Sequence, residues 1–185
     1  METKEKNFEN DIESAFLSQG YRKGTQETYN KAKAIDIPVL IEFIKASQPK
    51  TWERYCNVYG ERVEKQLYKV FQDNVYQNGL VYVLRNGVRD RGMEVRFAYF
   101  EPASNKNIDL VERYKSNILT CTRQFAYSTQ NNNTIDIVLS LNGIPIVAME
   151  LKNQLTGQSI SDAKRQYMYN RDEKEFCLHF NNRFL

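Results

Sequence analysis

Three charged residues lie at the ends of two apolar, strand-like segments. Asp136 begins the first segment, and Glu150 and Lys152 close the second, with the turn signal Asn142-Gly143 between them. Charges among apolar neighbours are costly unless they are paired, and a divalent metal ion would pair with two carboxylates. Mg²⁺ prefers carboxylate oxygens and can activate an attacking water, while a nearby lysine can orient that water. The set therefore predicts a metal-dependent phosphodiesterase site.

The same three residues also fit a plainer interpretation. Glu150-Leu151-Lys152 is a common tripeptide, and a preceding aspartate arises often by chance. In that case the three side chains would simply be solvated surface charge. The apolar character of both segments favours the metal site over this alternative.

The residues that close the second segment alternate between two faces of a strand. Glu150 and Lys152 are two residues apart, so both point to one side, whereas Leu151 points to the other side, into the core. A two-residue turn would pair Asp136 with Met149 and leave the two carboxylates on opposite faces. They can converge only if the hairpin loop has an odd number of residues.

We therefore predict a three-residue loop, at positions 141–143. In this loop Gly143 is left-handed as a G1 bulge, and Ser140 faces Ile144 across the hairpin. The two carboxylates then become neighbours on one face, offset by one pair.

Composition and charge are those of a globular protein with a sizeable core. The chain has 185 residues, of which 41% are hydrophobic and 26% charged, and its formal net charge is +3. That charge weakly favours a nucleic-acid partner. The basic residues are scattered, so a DNA-binding surface must be built by folding.

Residue usage argues against several other kinds of site. Cys56, Cys121 and Cys177 are widely spaced and show no Cys-x-x-Cys, so reduced thiols in a cytosolic protein fit better than disulfides or zinc. His179, the only histidine, lies in no nucleophile motif. The chain has no P-loop, so it is not expected to bind ATP in that way. It also has no signal peptide and no apolar run of 18 residues.

Hydrophobic periodicity predicts leading helices followed by strands. On the first helix, Phe8, Ile12, Ala15 and Phe16 are expected to face the core. The predicted helices are residues 7–19, 37–46, 49–55, 61–77, 109–115 and 159–171, and the predicted strands are 80–85, 93–99, 117–128, 176–179 and the two arms of the hairpin. We expect one α/β domain with a mixed sheet, spanning residues 1–185 and cut from a longer protein.

An ordered series of short motifs resembles the N-terminal endonuclease domain of type I restriction enzyme R subunits. The resemblance covers most of the chain. Its motifs are Phe8-Glu9, Gly20-Tyr21, Asn86-Gly87, Tyr99-Phe100-x-Pro102, Asn117-Ile118-Leu119-Thr120, Arg123-Gln124, Ile135-Asp136-Ile137-Val138-Leu139, Asn142-Gly143-Ile144-Pro145, Glu150-Leu151-Lys152-Asn153, Asp162-Ala163, Gln166-Tyr167 and Arg171-Asp172.

The resemblance implies an α/β fold with a PD-(D/E)xK restriction-endonuclease-like core, a mixed central sheet flanked by helices. It implies that Asp136 and Glu150 bind Mg²⁺, together with the Leu151 carbonyl, and that Lys152 is the catalytic lysine. Here Ile135 stands where the motif's name has proline.

Further site residues are implied from outside the hairpin. Glu9 on the first helix would approach the metal, with Glu13, one turn later, as a rival. Gln166 matches the catalytic glutamine of a Gln-x-x-x-Tyr-like motif, but Tyr167 and Tyr169 are not four residues after it. Arg123 is left with two interpretations, a DNA phosphate contact or a buried ion pair.

The function implied by the resemblance is Mg²⁺-dependent cleavage of double-stranded DNA after ATP-driven translocation. ATP would bind only to motor domains of the full-length protein, and the partners would be the methylation (M) and specificity (S) subunits, in the cytoplasm. Two alternatives stay open: a non-catalytic DNA-binding or subunit-docking module of the same fold, or a stand-alone repair or junction nuclease.

Overall fold

A computed structural model describes residues 2–151, with side chains from residue 6 onward. The chain divides into two compact units. The sheet unit comprises Met1–Ile35 and Leu119–Leu185, and the helical unit comprises Asp36–Ile118. The predictions for Lys152, Gln166, Tyr167, Tyr169 and His179, for the helix at 159–171 and for the strand at 176–179 lie outside the described residues.

The predicted helices and strands of the described part appear in the predicted order with one exchange of type, and four short strands that were not predicted, at 22–23, 29–30, 35–36 and 88–90, are added. In chain order the elements are α1 (Glu2–Ser18), β1 (Arg22–Lys23), β2 (Tyr29–Asn30), β3 (Ile35–Asp36), α2 (Ile37–Ser47), α3 (Pro49–Tyr59), a 3₁₀ turn (Gly60–Arg62), α4 (Val63–Asn78), α5 (Leu80–Asn86), β4 (Val88–Asp90), β5 (Met93–Val95), α6 (Ile108–Lys115), β6 (Leu119–Ala126), β7 (Thr134–Leu141) and β8 (Ile144–Met149).

The sheet unit contains a four-stranded mixed sheet in the order β1-β6-β7-β8. β1 runs parallel to β6, and the pairs β6-β7 and β7-β8 are antiparallel. The prediction of an α/β protein with a mixed sheet is therefore confirmed. The central pairing of β6 with β7 is continuous except at one position, which lies opposite Asp136.

One face of this sheet packs against α1. Cys121, Ile137 and Leu139 form its buried centre, and Ile12 and Phe16 of α1 pack against them. Met149 at the end of β8 and Leu151 just beyond it also pack against this cluster. This contact confirms that Leu151 points into the core. By alternation, residues 136, 138 and 150 belong to the opposite face.

The buried stripe of α1 differs from the predicted one. Phe8 and Ala15 are exposed, and Glu9 and Glu13 are buried in their place. The buried positions 9 and 13 and the partly buried positions 12 and 16 still have helical spacing. The sequence pattern failed here because two of these positions carry carboxylates, which the hydrophobic periodicity excludes from a core.

In the helical unit, the predicted strand at 80–85 is wrong. The segment forms helix α5, in which Leu80, Val83 and Leu84 are buried at helical spacing. Gly79 and Gly87 bound the helix, each with a positive φ. A short apolar run does not distinguish a strand from a buried helical turn. The glycines on both sides of the run mark the ends of the helix.

A small hairpin in the helical unit is fastened by a carboxylate. The predicted strand at 93–99 is reduced to β5, which pairs with β4 across a turn at Arg91. Asp90, at the end of β4, accepts hydrogen bonds from the Tyr55 hydroxyl at 2.5 Å and the Tyr59 hydroxyl at 2.6 Å. Burial raises the pKa of Asp90, but these hydrogen bonds outweigh it and hold that pKa below its usual value.

Within residues 2–151, no helix has both the length and the apolar character that a membrane crossing requires.

Gly24 allows β1 to approach β6 closely. Its N–H donates to the Cys121 carbonyl at 2.8 Å, and a Cβ at this position would overlap the Thr122 hydroxyl. Gly24→Ala is therefore expected to destabilise the chain by about 1–3 kcal/mol, measured by urea unfolding. In a Thr122→Ala background the loss should be smaller, since the overlapped hydroxyl is gone. An equal loss in both backgrounds would show that the contact with Thr122 is not the constraint.

Candidate functional site

The hairpin that carries the candidate carboxylates turns through two residues. Leu141 pairs with Ile144, and Asn142 and Gly143 between them have φ values of 53° and 80°. Positive φ at both positions is the type I′ geometry, whose twist matches that of the flanking strands. The predicted three-residue loop is therefore wrong, although Gly143 is left-handed as expected.

A bulge in β8 brings the carboxylates to one face. Ser140 pairs with Pro145, but Leu139 pairs with Val147, so Ile146 is an extra residue in β8. Beyond the bulge Ile137 pairs with Met149. Continued one step past the end of β8, this register would place Glu150 opposite Asp136. The requirement for one extra residue was correct, and β8 supplies it rather than the loop.

Asp136 is fixed by the backbone at the end of β8. Its Oδ2 accepts a hydrogen bond from the Leu151 N–H at 2.6 Å. Asp136 and Glu150 are both half-buried. Among the described residues, the other oxygen of Asp136 has no hydrogen-bond partner. One oxygen thus orients the carboxylate while the other keeps its lone pairs.

The buried Glu13 of α1 is held by two cations. Its Oε2 lies 3.4 Å from Nε of Arg123 and 3.5 Å from Nζ of Lys23. Arg123 also donates from Nη1 to Oδ1 of Asn10. Of the two interpretations left open for Arg123, the structure shows the ion pair.

Glu9 is equally buried but has a neutral partner. Glu9 and Glu13 are each 6% exposed, and Oε1 of Glu9 accepts from Nε2 of Gln124 at 2.7 Å. The other end of this amide, Oε1 of Gln124, accepts from the Thr134 hydroxyl at 3.1 Å. A neutral amide compensates less charge than two cations, so Glu9 retains more of its negative field.

Gln124 has a left-handed backbone within β6. Its φ is +47°, a conformation that costs a non-glycine residue about 1–2 kcal/mol. Sequence reasoning missed this feature. The residue type gave no signal, since glutamine is not among the residues that favour positive φ.

A three-carboxylate metal cluster is not formed within residues 2–151. No three His, Cys, Asp or Glu side chains in this part of the chain are arranged to hold one ion. Glu9 is therefore not brought into such a cluster with Asp136 and Glu150, and its role as a ligand stays a prediction. Two carboxylates with one backbone carbonyl are a smaller set, and their oxygens suit Mg²⁺.

The comparison with protein families decides the context of this hairpin. Residues 2–184 match the family described as the N terminus of type I restriction enzyme R proteins. The chain belongs to this family. No curated protein and no solved structure matches the chain itself. Membership places the chain among the N-terminal regions of restriction enzyme R proteins, and the roles of Asp136 and Glu150 stay predictions.

Removing Arg123, the main partner of the buried Glu13, should destabilise the folded chain. Arg123→Ala leaves Glu13 with only Lys23, so we expect a loss of about 1–3 kcal/mol in the free energy of unfolding. Arg89→Ala is the matched control, because Arg89 is 85% exposed and lies 4.0 Å from Glu94. That variant should unfold like the wild type. Equal losses in the two variants would contradict the structural role of the ion pair.

Proposed function

We propose that this chain is the Mg²⁺-dependent endonuclease domain of a type I restriction enzyme R subunit, built on a PD-(D/E)xK core. In this proposal Asp136 and Glu150 hold the metal, with the Leu151 carbonyl. The observation that carries it is the bulged hairpin, which brings the two carboxylates to one face in a chain of this family. Without the bulge the two side chains would diverge.

The residues have separate tasks in hydrolysis. When bound, Mg²⁺ would supply charge neutralisation at the phosphate and a more acidic water. The Leu151 N–H donates to one oxygen of Asp136. This bond fixes the orientation of the carboxylate and therefore of its second oxygen. Sequence alternation predicts that Lys152 lies on the face of Glu150, and we propose that it stabilises developing negative charge. Gln166 is assigned a catalytic role from the motif it matches.

Between the two α1 glutamates, the ion pairs favour Glu9 for the metal. Glu13 already faces the guanidinium of Arg123 and the ammonium of Lys23. A metal ion near Glu13 would be repelled by those two cations. Within the described part of the chain, Glu9 is paired with the Gln124 amide, which adds no positive charge. We therefore propose Glu13 as a structural residue. Because α1 packs on the sheet face opposite Asp136 and Glu150, Glu9 as an additional metal ligand stays a prediction of the family resemblance.

The substrate and partners follow from the same proposal. Double-stranded DNA would be cleaved after ATP-driven translocation by motor domains, in a complex with M and S subunits. A non-catalytic docking module of the same fold and a stand-alone nuclease are the competing functions. Neither is favoured by a specific contact among the described residues.

Substitution of the proposed site should abolish cleavage by the full restriction complex. Asp136→Ala, Glu150→Ala and Lys152→Ala should each lower DNA cleavage by at least about 100-fold. The first two remove proposed metal ligands, and the third removes the cation proposed to stabilise developing negative charge. ATP hydrolysis and unfolding temperature should stay close to the wild type. Asp73→Ala and Lys69→Ala are controls, since both residues are exposed on α4, and should cleave normally. Near-normal cleavage by a site variant would remove that residue from the site, and normal cleavage by all three would favour a docking module.

The isolated 185-residue chain should cleave DNA poorly. With a net charge of +3 and no basic block, it can neutralise few phosphates at once, so binding should be weak with a shallow salt dependence. We expect little cleavage of plasmid DNA in Mg²⁺ at low salt and no sequence preference. Efficient or site-specific cleavage without ATP or other subunits would instead indicate a stand-alone nuclease.

A further inference from the structure

Two consecutive residues of β6 reach the same helix. Arg123 contacts Glu13 and Asn10 of α1, and Gln124 contacts Glu9 of α1. In a regular strand, consecutive side chains leave opposite faces of the sheet. Both can reach α1 only if the backbone departs from the extended conformation between them.

The left-handed backbone of Gln124 is that departure. The register is the same on both sides of it, since Arg123 pairs with Ile137 and Phe125 pairs with Ile135. No residue is inserted into β6. The pairing is interrupted for a single step, and this step is the one opposite Asp136.

An extended Gln124 would occupy the face that carries Asp136. The unchanged register places the two residues directly opposite each other, where paired Cβ atoms lie about 5 Å apart. The side-chain amide would then compete with the Leu151 N–H for the Asp136 carboxylate. The left-handed conformation directs the amide instead to Glu9 and the Thr134 hydroxyl, and no hydrogen bond with Asp136 is formed.

Three contacts hold Gln124 in this conformation. Its carbonyl accepts from Nε2 of Gln26 at 2.9 Å, and Oε1 of Gln26 accepts from the N–H of Ala126 at 2.7 Å. The Gln26 side chain thus bonds to β6 on both sides of residue 125, past the end of β1. The Thr134 hydroxyl and Glu9 hold the two ends of the Gln124 amide.

We propose that Gln124 is a positioning residue of the nuclease site, whose left-handed backbone keeps the space beside Asp136 clear and so preserves the Asp136–Leu151 hydrogen bond and metal binding. The metal-binding part rests on the proposed function. The positioning part concerns this chain's own residues and can be measured without metal.

Three substitutions distinguish the effect of the Gln124 backbone conformation from the effect of its side-chain amide. Gln124→Gly, Gln124→Ala and Gln124→Val all remove the amide, but tolerance of positive φ falls from glycine to alanine to valine. Arg91 offers a matched control, because it also has a positive φ, 48°, in the β4–β5 turn of the helical unit. Arg91→Gly and Arg91→Val carry the same change in backbone preference away from the hairpin.

Two measurements on the 185-residue chain report on the site. The ¹⁵N–¹H signal and the hydrogen-exchange rate of the Leu151 amide report on its bond to Asp136 without metal. Titration with Mn²⁺, followed by water-proton relaxation, reports on metal affinity. Circular dichroism and the unfolding midpoint identify any variant that fails to fold, and the alanine variant then replaces valine.

The expected result is an ordered series. Gln124→Gly should keep the Leu151 signal and bind Mn²⁺ within about twofold of the wild type. Gln124→Val should shift that signal, speed its exchange at least tenfold and weaken Mn²⁺ binding at least fivefold, with alanine between them. The Arg91 variants should change neither measurement. An unchanged Leu151 amide in the valine and alanine variants, or equal effects of glycine and valine, would overturn the proposal.

The same experiment distinguishes a failure of the proposed function. If the wild type binds no Mn²⁺, or Asp136→Asn binds it equally well, the metal site is wrong. The NMR signal and exchange rate of the Leu151 amide in the Gln124 variants would still decide whether Gln124 positions Asp136.

Discussion

The alternation of side chains along a β-strand is the constraint on which the rest of this site depends. Asp136 and Glu150 are joined by a two-residue turn, and regular pairing from that turn would send them to opposite faces. The extra residue in β8, Ile146, reverses this outcome. One bulge therefore decides whether two carboxylates can act together, and the turn itself stays in its most favourable geometry.

The same alternation explains the division of labour on the first helix. Arg123 follows the regular strand and meets Glu13, whereas Gln124 leaves it and meets Glu9. Two buried carboxylates one turn apart thus have partners of different charge. A fully compensated carboxylate is suited to holding the helix on the sheet, and a partly compensated one is suited to attracting a cation.

Much of this was accessible from the sequence, and the failures have physical causes. Periodicity identified most helices and the hairpin, and parity showed that an extra residue was needed. The sequence did not locate it, because a bulge in β8 and a longer loop satisfy the same parity. Residues 80–85 were assigned to a strand because a short apolar run is ambiguous. Glu9 and Glu13 were missed as buried residues because their burial depends on partners more than 100 residues away.

The sheet unit is assembled from two distant segments of the chain, since the whole helical unit lies between Ile35 and Leu119. Joining such segments costs loop-closure entropy, which grows only with the logarithm of the intervening length, about 0.6 kcal/mol for each doubling. The helical unit can therefore gain or lose many residues at little thermodynamic cost to the sheet. A single residue gained or lost between Asp136 and Glu150 would rotate one carboxylate to the other face. Length variation among proteins built in this way should accumulate between β3 and β6 and be almost absent from the β7–β8 hairpin.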